Sequence, residues 1–310
     1  MKLLAFAIAL VVASCEAATP QLRFAWKEVD YEWNTPAERE NAIKSGAGNQ
    51  IVRPSIVIFD LKTDQLLHRY FFKLEDMKED SFFANIVVDV DQNTCDDAFA
   101  YIPDLGGYGV VVYSLKQNDS WRVAHHFFHF EPLAGSYRVG GVEFHWTDGV
   151  FALALSEPRE NGFRTMFFHA FSSTKEFCVS TELLRNYTHI DKQEAFHDFK
   201  LLGDRGQGTQ ASASFYDPNT QVLFYGQVNR DGVGCWNSNK PYTPENNVLI
   251  FSDPKLYEFP NDLKIDDEGL MWILVDKLPR FLYKTLDPNE VNYSIYSISA
   301  KDAIAGTACE

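Results

Sequence analysis

Short runs of β-branched and aromatic residues, separated by turn-forming residues, follow one another along nearly the whole chain. Ile51 to Leu61, the polar turn Lys62-Thr63-Asp64 and Leu66 to Phe72 read as a β-hairpin. Longer units begin near Ala84, Gly141, Ala211 and Asp262. Each opens with a strand, passes through a turn such as Asp217-Pro218-Asn219 or Asp266-Asp267-Glu268-Gly269, and continues into a more apolar strand. The starts are spaced by roughly 50 to 70 residues, which suits propeller blades with added loops. The pattern predicts an all-β fold, a β-propeller. A helix is predicted only over Thr35 to Lys44, where Thr35 is an N-cap residue and Pro36 stands at the first turn.

The first residues differ from this pattern. Met1 and Lys2 precede an apolar run from Leu3 to Ala13 and the small residues Ala13-Ser14-Cys15-Glu16-Ala17. This predicts a signal peptide over 1–17, a single mature domain over 18–310, and a secreted, extracellular protein. The run is too short for an ordinary transmembrane helix. Val12-Ala13-Ser14-Cys15 also matches a lipoprotein processing site, the competing expectation. Sequons at Asn118, Asn186 and Asn292 suit a secretory route and are candidate glycosylation sites.

Composition narrows the classes further. The 310 residues include 15% aromatic and 23% charged residues, which excludes disorder, collagen and coiled coil. A formal charge of −15 repels phosphate backbones and anionic lipid surfaces, so neither nucleic acid nor membrane is an expected partner. Removing the leader leaves Cys95, Cys178, Cys235 and Cys309, an even number that allows three disulfide pairings. With no Cys-x-x-Cys, zinc and dithiol redox chemistry lose their usual support.

No Gly-x-Ser-x-Gly, Walker or His-Glu-x-x-His motif is present. The glycine-rich stretch Gly203 to Gly208 reads as a loop. Asp89, Asp91 and Asn93 begin like an EF-hand loop, but Thr94 replaces the required glycine and Ala100 the bidentate glutamate. His125 and His129 would share a strand face about 13 Å apart, too far for one metal ion. Neither a metal nor a cofactor is expected. In a propeller the chemistry gathers where inner strands line the central channel. Those positions supply Asn85, His145-Trp146, Asn261, Asp262 and, just after the next strand, Asp276. An Asn–Asp pair beside aromatic rings suits a catechol or an amine. The alternative for Asp262 and Asp276 is hydrogen bonding to strand-end N–H groups.

Several runs make the chain recognisable: FFANIVVDV at 82–90, CDDAFAYIPDLGGYGVVVYS at 95–114, SWRV from 120, GVGCWN from 232, FPNDLKIDDEGLMWIL from 259 and GTAC at 306–309. Together they resemble the insect Yellow and major royal jelly protein family over nearly the whole mature chain. The resemblance implies a secreted six-bladed propeller related to cuticle-pigmentation proteins, some of which convert dopachrome, while salivary relatives bind biogenic amines in the channel. Matched motif to motif, the amine-contacting positions fall on Asn261, Asp276 and Leu278, and the family's Asn-Gly-Phe reads Asp276-Lys277-Leu278 here. The resemblance also implies that about 70 residues are lacking between 46 and 51, one to one and a half blades, leaving about five blades or an open ring. It pairs Cys235 with Cys309, leaves Cys95 without its usual partner and raises a mispairing with Cys178. The expected activity is dopachrome conversion, with Asp262, Asp276 or His145 moving the proton and Asn85 and Asn261 as anchors. The alternatives are a non-catalytic binder of catechols or biogenic amines, and an extracellular structural or signalling protein.

Overall fold

The computed structural model describes residues 18–27, 53–91, 94–190 and 193–310. The predicted leader, the predicted helix at 35–44, the junction at 46–51 and Asn93 lie outside the described residues.

Among the described residues, twenty strands form four antiparallel four-stranded sheets and two two-stranded ones. The first full blade contains β4 (Val87–Asp89), β5 (Phe99–Asp104), β6 (Gly109–Ser114) and β7 (Asp119–Ala124). The second contains β10 (Val150–Leu155), β11 (Thr165–Ala170), β12 (Lys175–Ser180) and β13 (Lys200–Asp204). The third contains β14 (Ala211–Asp217), β15 (Val222–Gln227), β16 (Gly232–Asn237) and β17 (Asn247–Ser252). The fourth contains β18 (Pro260–Ile265), β19 (Leu270–Val275) and β20 (Tyr293–Ser299), with β1 (Gln21–Trp26) as its outer strand. A partial fifth blade consists of β2 (Ser55–Phe59) and β3 (Leu66–Phe71). Among the described residues these sheets make the expected all-β propeller, with four full blades and a two-stranded one.

Burial explains the order within each blade. The middle strands β5, β6, β15 and β16 are buried along their whole length, as strands covered on both faces must be. Aromatic residues fill the spaces between blades. Tyr101, Trp121, Phe128 and Phe168 pack between the first and second blades, and Phe167, Tyr225 and Trp236 between the second and third. Ile56 and Phe72 seat the partial blade on Ile102, Val111 and Tyr113. Ile86, Val88 and Val90 around β4 and Leu22, Phe24 and Trp26 on β1 remain exposed.

Cys235 and Cys309 form a disulfide with Cα atoms 6.2 Å apart, tying the chain's end to the third blade. Cys178 keeps its thiol, so the mispairing with Cys95 does not occur; Cys95 lies at the surface. Asn118 and Asn186 are exposed, whereas Asn292 departs from the glycosylation expectation. Its side chain is 3% exposed and its Nδ2 donates to the carbonyls of Lys27 and Asp287, which leaves no room for a sugar.

The repeat near Gly141 is also corrected. Its first strand is not an inner strand but half of an additional hairpin, β8 (Ser136–Val139) and β9 (Val142–His145), inserted between the first two blades. The strict alternation of exposed and buried residues in both strands marks a ribbon that covers something on one side only.

Candidate functional site

The inner strands β4, β10, β14 and β18 stand side by side around the channel. Three of them bulge near their starting ends. Register shifts fall between Val150 and Ala152 on β10, between Ala211 and Ser214 on β14, and between Pro260 and Asp262 on β18. A bulge inserts an unpaired residue and turns the strand, which re-aims side chains at a rim. The residues inserted on β10 and β18 are Phe151 and Asn261.

Asn261 Nδ2 donates to Asp276 Oδ2 at 2.6 Å, and the Leu278 N–H donates to Asp276 Oδ1 at 3.2 Å. Burial raises the Asp276 pKa, while the Asn261 and Leu278 bonds oppose the rise. Lys277 turns away and donates to Glu290 at 3.3 Å, so it does not neutralise Asp276. Two non-glycine residues beside the pair have left-handed backbones, Phe259 with φ 57° and Lys277 with φ 50°. Such conformations are costly for a bulky residue and persist only where the surroundings enforce them.

An aromatic wall adjoins the pair. Phe259 lies 6.1 Å from Phe171 and 6.0 Å from Trp146, and Phe171 lies 5.3 Å from Phe151, measured between ring centroids. The β8–β9 hairpin covers this wall with Tyr137 and Phe144, their rings stacked at 5.0 Å. Trp146 Nε1 donates to Tyr283 Oη at 2.6 Å, which links the hairpin's end to the short helix Leu278–Tyr283. Leu278 packs against the same cluster.

The other expected residues are placed differently. Asn85 reaches the mouth, where its Nδ2 makes a long 3.5 Å bond to the Phe151 carbonyl. Asp262 is half-exposed and accepts from Lys264 at 3.1 Å and from the Leu263 N–H at 2.9 Å, so its charge is compensated. His145 is on the exposed face of β9, 3.3 Å from Ser136 Oγ, outside the aromatic wall. Asp276, Asn261 and Leu278 therefore come together with Asn85 nearby, while Asp262 and His145 do not join them. His125 is not on a strand face shared with His129. It caps a 3-10 turn, stacks on Phe199 at 4.1 Å, and is lowered to a pKa of about 4 by burial.

The turn between Trp146 and Phe151 carries one further acidic residue, with its backbone bonded to Ser172. Asp148, in the turn that leads into β10, is mostly buried, and burial alone pushes its pKa up to about 6. Standing before Gly149, it has the appearance of an ordinary Asp-Gly turn residue. Its only signal in the sequence was its position two residues beyond Trp146.

Farther down the channel, a cavity of about 490 Å³ is lined by Val88, Leu153, Leu155, Ser214, Tyr216 and Lys264, among others. A second cleft of about 750 Å³ lies outside the channel, between Phe130, Lys175, Gln210 and Pro244. No helix among the described residues is long and apolar enough to cross a membrane.

The family model for major royal jelly protein matches residues 43–309. Among curated relatives, L-dopachrome tautomerase yellow-f of Drosophila melanogaster is 39% identical over 84% of this chain and 61% of its own length. Dopaminechrome tautomerase of the same species is 39% identical over 84% of this chain and 57% of its own. Protein yellow of Drosophila melanogaster is 37% identical over 86% of this chain and 49% of its own. The chain thus spans about half to three-fifths of the length of these relatives. With a match across most of its length and an observed propeller, the chain belongs to the major royal jelly protein family, which includes the Yellow proteins.

Proposed function

We propose that this protein is a secreted Yellow-type protein acting in pigmentation, and that it converts dopachrome or a related aminochrome to a dihydroxyindole at the channel mouth. The observation that carries this reading is the Asn261–Asp276 pair, held at 2.6 Å by a β-bulge beside the wall of Phe151, Phe171 and Phe259. A flat, conjugated ring stacks on such a wall, and its quinone oxygens accept hydrogen bonds from an asparagine amide. The fixed carboxylate stabilises the cationic iminium of an aminochrome. Two relatives named as tautomerases of this substrate class support the reading.

A second reading is a non-catalytic binder of catechols or biogenic amines. It draws on the engagement of both Asp276 oxygens, which suits charge recognition better than proton transfer. Loss of dopachrome absorbance with and without purified protein, with products separated by chromatography, distinguishes the two. Catalysis predicts accelerated loss and a defined indole product. Binding of dopamine by calorimetry without any acceleration favours the second reading.

A further inference from the structure

We infer that Asp148 is the proton acceptor of the channel mouth, the side chain that takes the proton from the carbon adjacent to the iminium of an aminochrome. The inference rests on the proposed function and adds the group that handles the proton.

The geometry separates Asp148 from every other acid considered. Asp276 has a hydrogen-bond donor on each oxygen, and Asp262 shares its charge with Lys264. Among the described residues, no donor or cation contacts the Asp148 carboxylate, although the backbone around it is fixed. Its N–H donates to Ser172 Oγ at 3.3 Å, its carbonyl accepts from the Ser172 N–H at 3.1 Å, and the Gly149 N–H donates to the Leu105 carbonyl at 3.0 Å. Trp146 stands two residues before it and Phe151 three residues after, so the turn carrying Asp148 is anchored in the aromatic wall at both ends. A base needs unshared lone pairs, which the Asp148 carboxylate has, and here they are carried on a backbone held by Ser172 and Leu105.

The ionisable neighbours do not supply a counter-ion. Tyr137 of β8 has its phenol occupied by Ser172 Oγ at 2.8 Å and by the Phe171 carbonyl at 3.1 Å. The Asp148 charge helps raise its pKa. Tyr108 donates to the Thr147 carbonyl at 3.0 Å and stacks on His129, whose pKa is lowered by burial. Glu131, whose N–H binds the Ser172 carbonyl, is turned to Lys175 and Ser173. Burial without compensation places Asp148 at a pKa of about 6, so it is largely ionised at neutral pH yet basic enough to accept a proton.

In the step itself, the C–H bond beside the iminium breaks and an O–H bond forms on Asp148. The released electron pair moves through the conjugated ring to the quinone oxygen, which takes a proton from water. A second C–H bond, on the neighbouring saturated ring carbon, then breaks with its proton passing to solvent while the other quinone oxygen takes one from water, which completes the dihydroxyindole. Release of the Asp148 proton to solvent closes the cycle. An aminochrome without a carboxyl group is an isomer of its dihydroxyindole, and dopachrome is an isomer of the dihydroxyindole that keeps its carboxyl, so no oxidant or reductant is needed.

The test is the pH profile of dopachrome conversion by the wild type, Asp148→Asn and Asp276→Asn, each with a melting curve. The wild-type rate should climb with pH through about 6 and then level off. Asp148→Asn should be at least about a hundredfold slower at pH 7.5, lack that rise, and melt no lower than the wild type. Asp276→Asn should keep the rise. An Asp148→Asn variant with wild-type rate and profile overturns the inference and leaves the proposed function standing. A folded wild type that accelerates no aminochrome overturns both.

Discussion

Replacing Asp148 by asparagine should stabilise the protein at neutral pH. Its carboxyl pKa rises from 3.8 to about 6 through burial alone, a difference of roughly two units. At about 1.4 kcal/mol per unit this is at most about 3 kcal/mol, and partial contact with water reduces it to about 1–2 kcal/mol. The direction follows from the raised pKa. Below pH 3.8 the carboxyl is protonated in both folded and unfolded chains and costs nothing. Between 3.8 and about 6 the unfolded chain ionises first, and above about 6 the folded protein carries the full cost of a buried, uncompensated charge. Asparagine has nearly the same shape without the charge. Thermal melts should therefore show Asp148→Asn several degrees above the wild type at pH 7.5, with the difference vanishing near pH 4. An equal gain at both pH values would mean that packing, not charge, is responsible. No gain at pH 7.5 would mean that the carboxylate is compensated, which refutes the argument for a free base at the mouth.

Three further outcomes follow from the same structure. Cys309→Ser opens the loop of 74 residues closed with Cys235 and should cost about 4 kcal/mol, read as a fall in the denaturation midpoint. Glu176→Gln removes the charge that accepts from His169 at 2.8 Å and Arg205 at 2.8 Å in a fully buried network, leaving Arg205 uncompensated; a loss of about 3–5 kcal/mol is expected in denaturant melts. Expressed through a secretory route, Asn118→Gln should lose a glycan mass by mass spectrometry, whereas Asn292→Gln should leave the glycan mass unchanged and lower the melting temperature, because its amide bonds are internal.

The propeller was legible because its signals are local. Alternating apolar strands and turns built on residues such as Asp266 and Gly269 repeat once per blade, and neither needs a distant partner to be read. The added hairpin was misread for the same reason, since β9 has the same alternation as a blade strand and only its pairing with β8 reveals a different role. Asn261 and Asp276 were legible as candidates through their strand-end positions, while their 2.6 Å contact depends on a bulge that leaves no mark in the residue types. Asp262, one residue further, was an equally good candidate in the sequence; in the fold it is paired with Lys264 two positions along its own strand. Asp148 was hidden because its distinguishing property is the absence of a partner, a relation between turns far apart in the chain.

The most direct test of the site is a crystal structure of the protein soaked with dopamine or with the dihydroxyindole product. The ring should lie against Phe151, Phe171 and Phe259, with a polar edge on Asn261 and Asp276. A ring bound instead in the cleft between Phe130, Gln210 and Pro244, with the channel mouth empty, would contradict it.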